Sequence, residues 1–467
     1  MGLWGVRYRR FKEREEKGRK EKTPGGWCFF VIFEKPLDVV YLSYMPSVPE
    51  FFFYTFAYIS LYVQIFMLTV FFQKKKDILI RTDKIELPEY PGVTITVPAY
   101  NESRNIEKTI TSLLKLDYPS DKLHIIIVDD GSTDDTWDVM QQYKTDPRIK
   151  IFKKENGGKY TANNLGLEHS TTPFVGCLDA DSEVDGEALK RIMTYFTSTE
   201  VMAVAPTILI KDPKTIIQKA QSVEYEYSIY VKKMLGMLNA IHVTPGPFSI
   251  FRKTVFEKIG PYKHAHNTED QEIALRMHQH TMKIEHAPDA YVYTIGPHKI
   301  TGLYTQRVRW IYGFIKNAFD YRHLLFKKQY GNVGFITLPS GILSILSVLF
   351  LFSYSLYKIV MIVQEKIVHY QAVGFSSSFS LHVPEFDFFY APSQTIFFMT
   401  CFVYILVFTS LFIGQKMRYG KLLITKNIFY FFFIYSIIAP FWLLRSIYNA
   451  IRSYEASWTS ERDARGI

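Results

Sequence analysis

Leu-His-Ile-Ile-Ile-Val-Asp-Asp-Gly-Ser-Thr, residues 123–133, decides how the rest of the chain is read. Its opening is apolar and rich in β-branched side chains, as in a strand buried on both faces. The chain then turns at once into Asp129-Asp130-Gly131-Ser132. These are turn formers, and an Asp here can cap the helix expected from Thr136. Adjacent carboxylates repel each other. They persist where a cation or a proton-transfer task makes use of them.

Working outward, Gly92–Val97, Ile149–Phe152 and Phe174–Leu178 read as further strands. Asn105–Leu116, Thr136–Tyr143 and residues 160–169 read as the helices between them. Such alternation predicts an α/β fold with a mostly parallel sheet, covered by helices. Ligands in these sheets bind beyond the carboxyl ends of the strands. The second strand ends at Asp129–Asp130 and the fourth at Asp179, so both acid groups fall where a site is expected. Met202–Leu209 and Phe248–Phe251 follow as later strands. Thr215–Leu238 and Leu303–Phe326 read as long amphipathic helices that either cover the sheet or lie in a membrane interface. The second leads directly into an apolar block, which favours the interface.

Asp179-Ala180-Asp181 points two carboxylates to one side of an extended chain. Mg2+ or Mn2+ binds through one or two carboxylates and completes its shell with phosphate oxygens, so Asp179 and Asp181 are the candidate metal residues. Glu269-Asp270 opens a helix running to Met277. Acids favour a helix N-terminus, but a carboxylate there also suits a general base acting on a hydroxyl. Gln306, Arg309 and Trp310 stand at i, i+3 and i+4 and share one helical face. The Trp ring can stack on a sugar and the Arg can pair with a diphosphate, although an interfacial aromatic-basic belt has the same composition. Gly157-Gly158-Lys159 lacks the further residues of a nucleotide phosphate loop, and no G-x-G-x-x-G is present, so a dinucleotide cofactor is not expected.

The remaining composition is that of a membrane protein. Of 467 residues, 48% are hydrophobic, and these gather in blocks. Phe51–Phe72, Gly334–Tyr357 and Thr395–Gly414 approach or exceed the roughly 20 apolar residues a bilayer core of ~30 Å requires; Ile428–Leu444 is shorter. The net charge of +10 suits membrane orientation better than nucleic acid, which is not an expected partner. Lys74–Lys76 follow the first block, and Lys416, Arg418, Lys421 and Lys426 separate the last two, whereas residues 364–394 hold one Lys and no Arg. The positive-inside rule then puts residues 74–333 in the cytosol. Nine Lys or Arg among residues 1–26 also argue for the inside. A hairpin would satisfy both, with Trp27–Tyr44 as a costly first span or interfacial helix and Pro46 and Pro49 in its turn. No cleavable signal peptide is apparent. Cys28, Cys177 and Cys401 imply neither a disulfide framework nor a zinc site. The expected organisation is a charged tail at 1–26, an N-terminal membrane region of one or two helices at 27–73, a catalytic domain at 80–300, interface helices at 301–330, three transmembrane helices at 331–450 and a C-terminal tail at 451–467.

Together, Val97–Glu102, Val128–Thr133, Gly157–Lys159, Asp179–Asp181, Thr268–Asp270 and Gln306–Trp310 resemble the family 2 glycosyltransferases, over roughly residues 90–312. With apolar blocks on both sides, the chain looks like the membrane-embedded processive branch, which makes poly-N-acetylglucosamine, hyaluronan, chitin and cellulose. Gly246–Arg252 is similar to a stretch of hyaluronan and chitooligosaccharide synthases, with Phe251 where they have Tyr. The resemblance implies a GT-A domain and a nucleotide-sugar donor, such as a UDP-sugar. It implies Tyr100, Glu102, Asp129, Asp130 and Lys159 as donor-side residues, with Asp179 and Asp181 at the nucleotide-sugar and its Mg2+ or Mn2+. Asp270 would be the base with Glu269 beside it, and Gln306, Arg309 and Trp310 would serve the acceptor and diphosphate end. A polysaccharide or glycolipid acceptor, contact with membrane lipids, a multi-pass place in the plasma membrane and a homo-oligomer are compatible with it. Ceramide glucosyltransferases share the last motif without making polymers, which keeps single transfer to a lipid as the alternative and a catalytically dead scaffold as a weaker one. No nucleotide-responsive barrel like that of bacterial cellulose synthases is expected after the last apolar block.

Overall fold

A computed structural model describes residues 48–78, 87, 89–373 and 395–455. The charged tail, the hairpin expected at Trp27–Tyr44, Cys28, most of the Lys-poor loop and residues 456–467 lie outside these. In chain order the elements are α1 (Val48–Ile78), β1 (Val93–Ala99), α2 (Ile106–Leu114), β2 (Leu123–Asp129), α3 (Thr136–Gln141), β3 (Ile149–Lys153), α4 (Lys159–Glu168), β4 (Phe174–Cys177), β5 (Ser182–Val184), α5 (Ala188–Thr194) and β6 (Val201–Ile210). Then come α6 (Ile216–Met237), β7 (Ile250–Arg252), α7 (Thr254–Ile259), α8 (Glu269–Gln279), β8 (Lys283–Thr294), α9 (Ile300–Asp320), α10 (Leu338–Val373), α11 (Thr395–Tyr419) and α12 (Lys426–Arg452).

The described strands form one sheet in the order β3-β2-β1-β4-β7-β6-β8-β5. The β3-β2-β1-β4 half is parallel throughout, as the alternation of strands and helices requires. Beyond β4 the sheet is mixed: β7 runs antiparallel to both neighbours, β6 and β8 are parallel, and β5 is antiparallel to β8. The cause is local. β7 is reached from α6 by a loop on the site side, so it enters the sheet reversed.

β1 is buried on both faces because helices lie above and below it. α2 places Ile106, Ile110 and Leu113 at i, i+4 and i+7 on that core. α6 starts in a capping box in which Thr215 and Gln218 satisfy each other's backbone amides.

Among the described residues, four helices are long and apolar enough to cross a membrane: Phe51–Lys75, Val333–Ala372, Phe397–Tyr419 and Lys426–Arg452. α6 joins them to the sheet, and α9 joins them to α8. Met234 and Leu235 of α6 share a cluster with Ala203 and Ile284 of the sheet and with Met67, Leu68 and Phe71 of α1. On another face, Val223 packs with Leu411 and Ile428. α9 lies against α12, with Val308 and Phe314 beside Trp442 and Leu443. α6 thus covers the sheet on one face and touches the long apolar helices on another.

Candidate active site

Asp130 N donates to Ala99 O at 2.8 Å, and Leu178 N donates to Thr96 O at 2.9 Å. The carboxyl ends of β2 and β4 are thus drawn in on either side of β1. The loop after β1 is fastened to the loop after β2. Asn101, in the left-handed region with φ 54°, accepts from Thr133 N at 2.8 Å, and its own N–H donates to Ser132 Oγ at 3.0 Å. Glu102 is buried and accepts from Asn105 Nδ2 at 2.9 Å. Tyr100 is half-buried in the same loop. Asp129 is fully buried: its Oδ1 accepts from Ser132 N at 3.0 Å, and its Oδ2 lies 3.7 Å from Lys153 Nζ.

Asp130 faces the chain rather than the open side of this cradle. Its Oδ1 takes Lys154 Nζ at 2.6 Å and Gly157 N at 3.1 Å, and its Oδ2 takes Gly158 N at 2.9 Å. Gly158 sits at φ 90°, a backbone that a side chain would strain. The carboxylate folds this loop as an anion would, and the loop delivers Lys159 at the start of α4. That is the work of the Gly-Gly-Lys sequence, which taken alone looked like an incomplete phosphate loop.

Lys159 Nζ lies 2.6 Å from Asp179 Oδ1 and 3.4 Å from Glu269 Oε1. Burial pulls the ammonium down, but Asp179 and Glu269 outweigh it and hold it protonated above its ordinary range. Burial, opposed by Lys159 and reinforced by Asp181, pushes the Asp179 carboxyl upward. Gly246 covers this contact closely. A Cβ there would collide with Lys159 Nζ and press on Asp179 Oδ1 at 3.2 Å. Cys177 Sγ donates to Gly246 O at 2.9 Å; burial lifts this thiol to about 12, which keeps it neutral.

Asp270 O accepts from Thr244 N at 3.0 Å and Thr244 Oγ1 at 2.9 Å, which ties the loop before β7 to the start of α8. Burial, then the charge of Glu269, pushes the Asp270 carboxyl up to about 6 against the pull of Lys159 and Arg309. The α9 motif therefore reaches the acids through Arg309, which also donates from Nη1 to Asn267 O at 3.0 Å. Gln306 Oε1 accepts from Gln221 Nε2 at 3.3 Å. Trp310 is overlain by Arg307, whose guanidinium carbon lies 4.5 Å from the ring centroid.

Arg307 was not among the residues expected to share that face. It makes a two-pronged pair with Glu224 at 2.7 and 2.6 Å, and Tyr435 of α12 donates to the same carboxylate at 2.5 Å. Lys232 is a second residue that spacing did not reveal. Burial, opposed by Asp270 and Glu224, lowers its ammonium to about 8. Glu224 and Lys232 both lie on α6, among apolar and polar residues whose spacing does not single them out.

Asp179 and Asp181 flank Ala180, and Ser182 Oγ donates to Asp181 Oδ1 at 3.2 Å. Among the described residues no three His, Cys, Asp or Glu side chains gather as a metal cage. Two hard carboxylate donors fit a Mg2+ or Mn2+ that takes the rest of its shell from phosphate and water.

Residues 94–260 match the model of glycosyl transferase family 2. A poly-β-1,6-N-acetyl-D-glucosamine synthase of Staphylococcus epidermidis is 30% identical over 260 residues, which is 55% of this chain and 63% of the relative. One of Staphylococcus aureus strain COL is 32% identical over 232 residues, 49% of this chain and 56% of the relative. The chain thus spans less than two thirds of the length of these curated relatives. A mannosyltransferase of Pyrobaculum calidifontis, solved with GDP-Man and Mn2+, superposes with a TM-score of 0.54 at 16% identity. The match covers 86% of this chain and all of that one, and at such identity it speaks for the fold alone. Residues 94–260 are a glycosyl transferase family 2 domain, on a chain whose described residues include four helices apolar enough to cross a membrane.

Proposed function

We propose that this protein is an inverting, processive glycosyltransferase. It takes sugars from a cytosolic UDP-sugar, such as UDP-N-acetylglucosamine, and elongates a β-linked polysaccharide that leaves through the membrane helices. The observation that carries the reading is the line of charge from Asp179 through Lys159 to Glu269, with Asp270 and Arg309 beside it. It runs from the strand ends to the helix that packs on α12. The staphylococcal polymer synthases among its relatives support a polymer product.

In this reading Tyr100, Glu102 and Asp129 shape the nucleotide side, while Asp130 sets the loop that carries Lys159. Lys159 meets the donor diphosphate. Asp179 and Asp181 would hold a Mg2+ or Mn2+, whose charge offsets that gathering on the leaving diphosphate. Asp270, ionised above about pH 6, takes the proton from the acceptor hydroxyl as its oxygen attacks the anomeric carbon on the face opposite the diphosphate. Attack from that face inverts the configuration. Glu269 keeps Lys159 in place. Gln306, Arg309 and Trp310 receive the acceptor end, the Trp by stacking, which holds a sugar while letting a chain slide. Lys74 and Lys75 after the first span, with Lys416, Arg418, Lys421 and Lys426 between the last two, support a cytosolic catalytic side.

The test is product size. The purified protein in lipid vesicles is given radiolabelled UDP-N-acetylglucosamine and, in parallel, other UDP-sugars. Label in a high-molecular-weight glycan supports the proposal. Label confined to a single-sugar lipid replaces it with lipid glycosylation, and no transfer from any donor rejects both.

A further inference from the structure

Ala265, His266 and Asn267 have φ of 46°, 56° and 60°. Three consecutive residues with a Cβ thus sit in the left-handed region, where the side chain crowds the backbone. Such a conformation persists only where the surroundings over-determine it, and it gathers at functional sites. This segment ends immediately before Thr268, Glu269 and Asp270.

The surroundings come from α9, from α4 and from the residues just past α12. His266 Nε2 lies 2.9 Å from Asp320 Oδ2, at the end of α9. His266 Nδ1 and His264 Nδ1 each lie 3.7 Å from Glu455 Oε1, just past α12. The His266 ring meets the Tyr312 ring edge-on at 6.2 Å, and the His264 ring meets Tyr160, the neighbour of Lys159, at 5.6 Å. At the far end, Asn317 Nδ2 donates to Thr268 Oγ1 at 2.9 Å, and Thr268 Oγ1 donates to Ala265 O at 3.0 Å. None of His264, His266, Asp320 or Glu455 belongs to the chemistry described above.

We infer that Ala265–Asn267 is a sprung strap, held by His266 against Asp320 and Glu455, that sets the position of Glu269 and Asp270. His266 is then a positioning residue, since it reaches the acids only through the backbone it holds. The inference rests on the proposed function for its catalytic consequence, but not for its structural one. The strap also ties the acids to residues that follow the last membrane helix, so that helix is anchored within a few residues of the chemistry.

Two measurements on the full-length protein in lipid test it. In His266→Ala, the amides of Thr268–Gln271 should exchange with deuterium ~10-fold faster or more, while those of β1 and β2 are unchanged. In the transfer assay kcat should fall about tenfold with the donor KM within about twofold, because the donor side is untouched. His266→Gln, which can still donate to Asp320, should recover most of the loss. Ala265→Gly should restore part of it in the His266→Ala background, because glycine accepts positive φ without strain and leaves less for the clamp to hold. Unchanged exchange overturns the strap, whatever the activity. Faster exchange with unchanged kcat overturns its positioning role. A wild type that transfers no sugar fails the functional reading instead and leaves the exchange result to judge the strap.

Discussion

Lys159 and Asp179 meet at 2.6 Å beneath Gly246, whose missing side chain is what allows the contact. Gly246→Ala should therefore act on chemistry rather than folding. The obstructing atom is the end of a flexible side chain, so the backbone need not move and Tm should hold. The displaced ammonium can no longer serve the diphosphate, and turnover should fall ~10-fold or more. A thermal melt together with initial rates at saturating donor checks both halves.

Asp270→Asn should abolish transfer yet retain UDP binding, because the base acts on the acceptor hydroxyl. Its carboxyl stands at about 6 in the folded protein against an ordinary 3.8, so ionising it costs stability. The cost is absent below 3.8, grows as pH rises and is complete above about 6. The Asn variant should accordingly melt above wild type at pH 7.5 and level with it at acid pH. The wild-type rate should climb with pH through about 6. Calorimetric titration with UDP, melts at two pH values and a pH–rate profile provide the check. A loss of UDP affinity as large as the loss of turnover would make Asp270 a donor-site residue.

Asp181→Asn changes little but charge at a half-buried position, so the protein should fold and insert. Turnover should drop ~100-fold or more, the scale seen when a transition-state stabiliser is removed. EDTA should stop the wild type, and Mg2+ or Mn2+ should restore it. Full activity in EDTA would reject the metal assignment for Asp179 and Asp181.

Trp310 and Arg307 should separate product length from stability. Trp310→Ala should leave donor binding near wild type and shorten the glycan or stop its growth, read by gel filtration of labelled product. Arg307→Ala strips Glu224 of its two-pronged partner, and breaking a pair of this kind costs about 3 kcal/mol or more. Arg307→Met with Glu224→Gln should cost less than Arg307→Ala alone, because no charge is left without its partner. Melts in detergent distinguish these outcomes. Polymer of unchanged length from Trp310→Ala would leave α9 as an anchor only.

The parallel half of the sheet was legible because β1, β2 and β4 are apolar runs that stop abruptly at polar turns. β8 was not. Its run Lys283–Thr294 is broken by Glu285, His286, Pro288 and Asp289, and the strand tolerates them by a shift of register opposite Pro206–Thr207. β5 has three residues and carries no periodicity of its own. In the site, the acids could be seen because like charges side by side are conspicuous in any sequence. Lys159 was also picked out, through the resemblance, but its pairing with Asp179 and Glu269 was not. Lys159 comes from one helix and Gly246 from a loop 87 positions later, and only folding brings them together. Asp130 shows the opposite limit: it could be picked out, but its three donors could not.

α6 has the sheet on one side and α11 and α12 on another, and its Glu226 accepts from Gln415 at 3.1 Å, Arg418 at 2.8 Å and Tyr419 at 2.9 Å. A recombinant fragment cut to end after β8 would keep every described strand and the acids Asp129, Asp130, Asp179, Asp181, Glu269 and Asp270. It would also leave that carboxylate without its donors and bare Val223 and Tyr227 to water. Such a fragment should precipitate or form soluble clumps on expression. Antibodies or small molecules sought against the enzyme are better selected on the intact chain in nanodiscs than on an excised domain.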